Sequence, residues 1–253
     1  MVGTDARQAA VAQCLQEAGW RPAGAGEADI LLLPTPLRVQ EVDLRGLLKQ
    51  AKPGAVFFAG HVGTEAYALA GAAGHTLIDY LLREELAVCN AVATAEGTIA
   101  LILENSGRTI WRSRALVIGY GRVGRTLAQR LALLGAKVTV AARKPQARVW
   151  ASSEGSESFS TDELLSRCGG FSIIVNTVPD MVMPRAVLEQ TAEDVLILDL
   201  ASAPGGVDHE AAKELKRKEL FAPGLPAKYT PVSAGGYIAQ TVLEIVKERG
   251  IAL

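Results

Sequence analysis

The chain has 253 residues, 49% of them hydrophobic, with 26 Lys and Arg against 27 Asp and Glu and a formal net charge of −1. That length is enough for one large domain or two small ones, and the balanced charge gives no sign of a nucleic-acid partner. Cys14, Cys89 and Cys168 are scattered, without C-x-x-C or metal-ligand spacing; they predict reduced, mostly buried thiols in a cytosolic setting and no metal site. No N-terminal signal and no uninterrupted apolar run of about 18 residues stands out, so neither secretion by that route nor a membrane span is expected.

In chain order, Met1 to Asp5 reads as the stub of a first strand running into a turn, and Ala6 to Ala18 as a helix stopped by Gly19. Asp29 to Leu33 is an apolar strand ended by Pro34, Val39 to Gln50 a helix, and Ala55 to Ala59 a strand ending at Gly60-His61. A short helix over Glu65 to Ala72 and a strand-like piece over Thr76 to Tyr80 follow. Alternating strands and helices predict a small parallel α/β unit. Asn90 to Glu104, rich in small and apolar residues, predicts a buried helix between two domains.

Arg114 to Lys144 is the most informative stretch. Ala115 to Ile118 is a short apolar strand, Gly119, Gly121 and Gly124 follow at G-x-G-x-x-G spacing, Leu127, Leu131 and Leu134 mark one helical face, and Val138 to Ala141 is a second strand. Strand, glycines, helix and strand in that order form the context in which the motif binds a dinucleotide. Gly119 permits the tight turn, Gly121 lets a pyrophosphate reach the backbone, and Gly124 allows close helix packing. Arg122 and Val123 open the helix whose first N–H groups and positive dipole end would face the phosphates. The second strand ends in Ala141-Ala142-Arg143-Lys144. An acid there would bind the ribose 2′-hydroxyl of NAD; two cations suit a 2′-phosphate, so NADP is favoured over NAD.

Beyond Lys144, Pro145 to Ala151 is a weak helix, and Ser160-Thr-Asp-Glu163 is a capping box opening a helix to Cys168. Strands are expected at Phe171 to Val175, Val195 to Leu200 and Glu219 to Ala222, with helices at Pro184 to Gln190 and Asp208 to Lys216. Ser233 to Arg249 is a long closing helix, expected to pack on the Asn90 to Glu104 helix. The fold class is α/β with two parallel-sheet domains, the second a Rossmann dinucleotide-binding fold. The expected boundaries are 1–105, a substrate-side α/β domain, 106–232, the NADP-binding domain, and 233–253, a closing helix packed back on the first domain.

These segments together resemble the family of the dipicolinate synthase A subunit from spore-forming bacteria. The matching pieces are Gly3-Thr-Asp-Ala-Arg-Gln8, Asn90 to Thr98, Gly119 to Gly124, Ala142-Arg143, Thr161 to Leu164, Asn176-Thr-Val-Pro179, Leu198 to Gly206 and Ala222 to Pro226. The family's first strand extends further upstream than Val2. The resemblance implies two α/β domains with a cleft between them and oxidation of a dihydrodipicolinate-type intermediate to dipicolinate with a nicotinamide acceptor. It also implies a flavoprotein-like partner, the dipicolinate synthase B subunit, and the cytoplasm of a sporulating mother cell. Thr177, Val178 and Pro179 resemble the family loop beside the cofactor.

A six-membered ring bearing two carboxylates calls for cations, N–H donors or hydroxyls. Arg7 is a candidate carboxylate clamp, and Asp5 a candidate to orient it or reach the substrate. Asn90 and Thr94, one helical turn apart, are candidate donors to this small dicarboxylate. Glu96 on its apolar helix is expected to be either a general base or an ion-pair partner, because an unpaired carboxylate there is costly. His61, after a strand end, is a candidate proton carrier, whereas His75 and His209 read as surface residues. Two alternatives stand beside this enzyme: a non-catalytic NADP-binding scaffold for the flavoprotein-like B subunit, and a D-2-hydroxyacid dehydrogenase, for which His209 is the available acid/base. A homo-oligomer is left open.

Overall fold

A computed structural model describes residues 6–251. Contacts divide the chain into two compact units, Met1–Asn90 with Thr230–Leu253, and Ala91–Tyr229. The division runs through a helix at residue 90, not through the polar link after residue 105.

The first unit begins with α1 (Ala6–Glu17), then β1 (Ile30–Leu32), α2 (Leu44–Gln50), β2 (Val56–Ala59), α3 (Thr64–Ala72) and β3 (Thr76–Asp79), and a 3-10 turn over 80–82 leads into α4 (Glu84–Ser106). Met1 to Asp5, where a first strand was expected, lies outside the described residues. The three strands are parallel in the order β1-β2-β3, with Leu32 beside Phe58 and Phe58 beside Ile78. Strand side chains alternate between faces. Leu32, Phe58 and Ile78 therefore enter one core with Val11 and Leu15 of α1, while Leu31, Phe57 and Leu77 enter the other with Leu44, Leu48, Ala66 and Ala70. The helix expected over Val39 to Gln50 is shorter, because Asp43 caps it by accepting the Gly46 N–H at 2.9 Å.

The second unit continues with β4 (Arg114–Ile118), α5 (Arg122–Leu133), β5 (Lys137–Ala141), α6 (Pro145–Ser153), β6 (Glu157–Phe159) and α7 (Leu164–Arg167). Then come β7 (Ile173–Asn176), α8 (Arg185–Leu188), β8 (Leu196–Asp199), α9 (His209–Glu214), β9 (Lys218–Phe221) and α10 (Leu225–Tyr229). Six parallel strands lie in the order β6-β5-β4-β7-β8-β9, the doubly wound arrangement. One face packs Val117, Val140, Val175 and Leu198 against Leu127 and Leu131 of α5; the other packs Leu116, Ile118, Ile174 and Ile197 against Leu164, Leu188 and Ala212. The three-residue edge strand β6 and the short α10 carry no clear sequence period.

Helix α4 has an 18-residue window of mean hydropathy 1.8, long and apolar enough to pass for a membrane span by length and composition. Its residues serve cores instead: Leu86 packs in the first unit, and Ala95, Leu101 and Ile102 in the second. The closing helix α11 (Pro231–Glu248) packs most extensively on α1, not on the expected 90–104 stretch. Gly235 makes this approach possible, since a Cβ there would lie 2.6 Å from the Cβ of Ala10.

Candidate functional site

At the C-terminal edge of the six-stranded sheet, Ile118 of β4 lies beside Asn176 of β7, where the winding of the chain reverses. Connections leave these two strands in opposite directions, so a crevice opens between them. Gly119 follows β4 at φ +93, a left-handed conformation that costs glycine little. A Cβ on Gly119 would collide with Thr177 Oγ1 and lie 2.9 Å from Val178 Cγ2, and one on Gly124 would strike the Gly119 carbonyl. Gly121 differs: nothing lies within 4 Å of where its Cβ would be, and as the N-cap of α5 it supplies no capping side chain. Two glycines thus answer to the protein's own packing, and the third leaves open space before the uncapped, positive end of a helix. That shape fits a pyrophosphate.

Thr177 closes the other side of the crevice, its N–H and its hydroxyl both donating to the Ile118 carbonyl at 2.9 Å. Behind it, Asn176 and Asp199 are fully buried. Asn176 Nδ2 donates to Asp199 Oδ1 at 2.8 Å and to the Val178 carbonyl at 2.9 Å, and Asn176 Oδ1 accepts the Val178 N–H at 3.0 Å. Asp199 also accepts the N–H groups of Ala201 at 3.2 Å, Gly206 at 2.8 Å and Val207 at 3.2 Å. Donors on every side are what let a carboxylate stay buried without a cation.

At the tip of β5, Ala141 and Ala142 are buried while Arg143 and Lys144 are exposed. The Arg143 guanidinium is 4.0 Å from the Asp180 carboxylate, both largely exposed. Arg148 donates to the carbonyls of Ala142 at 2.8 Å and Arg143 at 2.9 Å and so holds this tip. Tyr120, between the first two glycines, donates its hydroxyl to Glu154 at 2.6 Å; Glu154 also accepts from Gln129 at 2.9 Å and pairs with Arg125. Burial, then the bond to Glu154, holds the Tyr120 hydroxyl well above the usual phenol range, and that same bond, then Arg125, draws Glu154 below the usual carboxylate range.

In the first unit, Arg7 Nη2 donates to the Thr35 carbonyl at 3.0 Å, and Thr35 Oγ1 hydrogen-bonds the Tyr80 hydroxyl. The cleft that Arg7, Gln8, Thr35 and Tyr80 help to line is only about 20 Å³, room for a single water. His61 is exposed at φ +58, and its N–H donates to Asp79 Oδ1 at 3.2 Å. Asp79 also accepts from Val62 N at 2.8 Å and Leu81 N at 2.9 Å. Asp5 lies outside the described residues.

Asn90 and Thr94 are half-buried on α4. Glu96 does not join them: two residues on, at about 100° per residue, it points some 200° away from Thr94. Its side chain is 54% exposed, with Oε1 3.8 Å from Arg130 of α5. The enclosure expected of Glu96 is absent, and of its two expected roles the ion pair is the one with a cation in place, Arg130. His75 and His209 are not plain surface residues either. His75 places Nδ1 3.2 Å from the Ala55 carbonyl and Nε2 3.0 Å from that of Leu48, edge-on to Phe57. His209 places Nδ1 3.1 Å from Glu219 and Nε2 3.4 Å from the Pro204 carbonyl, beside the Phe221 ring.

Residues 89–225 match the model of the NAD-binding domain of the D-isomer specific 2-hydroxyacid dehydrogenases. The chain belongs to this family. A nicotinamide dinucleotide is therefore its cofactor class. Within the family, the resemblance to the A subunit of dipicolinate synthase holds. That protein from Bacillus subtilis (strain 168) is 36% identical over 193 residues, 76% of this chain and 65% of the relative, just under two thirds of its length. The structure of the dipicolinate synthase A subunit from Bacillus halodurans superposes with a TM-score of 0.86 at 25% identity over 97% of this chain and 96% of the other. The Bacillus subtilis counterpart gives 0.85 at 29% identity over 97% and 94%. A transhydrogenase from Sinorhizobium meliloti shares the fold alone, with a TM-score of 0.74 at 19% identity over 92% and 79%.

His209, on which the D-2-hydroxyacid dehydrogenase alternative turned, sits at the start of α9 with Nδ1 near Glu219 and Nε2 near the Pro204 carbonyl. Sequence reasoning did not select Asn176, Asp199, Tyr120, Glu154 or Arg148 as site residues. A signal existed for two of them: the apolar strands Ile-Ile-Val-Asn and Leu-Ile-Leu-Asp each end on one polar residue. The Tyr120–Glu154 contact spans 34 residues and leaves no local pattern.

Proposed function

We propose that this chain oxidises a dihydrodipicolinate-type ring to dipicolinate with NADP in preference to NAD, working in the cytoplasm of a sporulating cell with a dipicolinate synthase B subunit. The 36% identity to the A subunit over 193 residues carries this function. The cofactor preference stands on Arg143 and Lys144 at the β5 tip, where residues 141–144 include no acid to accept from a ribose diol.

When bound, the nicotinamide supplies the hydride acceptor, and loss of two hydrogens makes the ring aromatic. The residues of the chain then have to orient and enclose. The Gly121 backbone and the first N–H groups of α5, at Arg122, Val123 and Gly124, receive the pyrophosphate, and Arg143 and Lys144 the 2′-phosphate. Thr177, Val178 and Pro179 flank the nicotinamide half. Arg7, Asn90 and Thr94 are the proposed substrate donors, and the exposed His61 imidazole the proposed proton carrier.

The test is a turnover assay with enzymatically generated dihydrodipicolinate, NADP or NAD, and the B subunit present or absent, following both reduced cofactor and dipicolinate. Dipicolinate formed with NADP by the chain alone supports the enzyme. Formation only when the B subunit is added supports a shared site. Cofactor binding without turnover in either case returns the chain to a scaffold.

A further inference from the structure

We infer that Asp199 is a positioning residue for the cofactor: through Asn176 it sets the loop that receives the nicotinamide half, while the phosphates of the other half meet the Gly121 backbone and the start of α5, outside this ring of bonds. Four donors converge on this fully buried carboxylate, the N–H groups of Ala201, Gly206 and Val207 and the amide of Asn176. Among the described residues no Lys, Arg or His forms an ion pair with it, and its direct partners are these N–H groups. The pair joins the ends of two neighbouring strands, Asn176 of β7 lying opposite Asp199 of β8.

The orientation of Asn176 is dictated from this side. With its Nδ2 spent on Asp199 and the Val178 carbonyl, its Oδ1 can only face the Val178 N–H. That ring of bonds fixes Thr177 and Val178 against Gly119, whose missing side chain leaves the room they occupy. In a doubly wound sheet the adenosine half lies over the first strands, here β4 and β5, and the other half extends past the switch point over β7 and β8. Asp199 therefore acts on one half of the ligand only. Replacing it by Asn removes one acceptor face. The new NH2 group then faces either the Gly206 and Val207 N–H groups or the Ala201 N–H and the Asn176 amide, donor against donor, and in the second arrangement Asn176 must turn over to escape. Its turn breaks both bonds to Val178.

The experiment measures calorimetric affinity for the reduced dinucleotide that the wild type binds better, NADPH or NADH, and for the matching fragment without nicotinamide, 2′-phospho-ADP-ribose or ADP-ribose. Choosing the cofactor by measurement keeps this result separate from the NADP proposal. In Asp199→Asn the dinucleotide is expected to weaken by about 10- to 100-fold, the worth of one to two bonds to a charged group, while the fragment changes by less than about 2-fold. Gly206→Ala perturbs the same ring of bonds while keeping the Asp199 carboxylate, because its Cβ would lie 2.5 Å from Asn176 Nδ2 and the Val178 carbonyl. It should split the two ligands the same way, and it decides the matter if Asp199→Asn fails to fold. Equal losses for dinucleotide and fragment, or no loss for either, overturn the inference.

Discussion

Two aspartates close the two sheets in the same way and with different results. Asp79 ends β3 and gathers the N–H groups of His61, Val62 and Leu81; Asp199 ends β8 and gathers those of Ala201, Gly206 and Val207. Asp79 keeps 9% of its surface and the loop it holds is partly exposed, whereas Asp199 keeps none and binds a further buried amide. The backbone they shape also differs. The first unit holds a histidine at φ +58, while the second turns on Gly119 at φ +93 and leaves Gly121 open. The loop proposed to admit phosphate to its backbone is made of glycine; the loop at His61 carries a side chain in the left-handed region, at some strain.

The comparison breaks most readily at Gly121. Gly121→Val is expected to abolish dinucleotide binding, a loss of at least about 4 kcal/mol or 1,000-fold, with an unchanged circular dichroism spectrum, since the new side chain enters open space meant for phosphate. Normal affinity in the folded variant would place the phosphates elsewhere. Next, Asp199→Ala and Asp79→Ala should separate the two hubs. Denaturant titration should show about 3 kcal/mol or more lost at Asp199, where the abandoned donors are sealed from water, and about 1–2 kcal/mol at Asp79, where solvent can replace the acceptor. Equal losses would mean that burial does not distinguish them.

Arg143→Ala is expected to weaken NADP by about 1.5–3 kcal/mol and leave NAD unchanged, because the guanidinium answers only the 2′-phosphate. Calorimetry with both cofactors checks it, and equal NADP affinity in wild type and variant removes Arg143 from recognition. His61→Gly sharpens the contrast from the other side. Glycine accepts the left-handed turn freely, so stability should stay within about 1 kcal/mol of wild type while turnover of dihydrodipicolinate falls. Full turnover would leave His61 a loop residue. The smallest effect belongs to Glu96→Gln. An exposed ion pair at 3.8 Å is worth under about 0.5 kcal/mol, so melting temperature and cofactor affinity should barely move.

The amino-acid sequence by itself determined the parallel α/β class, most element positions and the glycine turn, because buried strands, helical periods and φ-specific residues are local signals that survive in one dimension. It also placed Arg143 and Lys144, since the end of the second strand follows directly from the end of the first helix. Only the tertiary structure decided which polar residues are buried. Glu96 looked enclosed from its neighbours Ala95 and Gly97, yet its face of α4 is exposed toward Arg130, whereas Asp199 and Asn176, each one polar letter after three apolar ones, are sealed completely. Burial depends on what a distant segment brings to a surface. The partners Asn176 and Asp199 stand 23 residues apart and Tyr120 and Glu154 stand 34 apart, and no local pattern carries that distance.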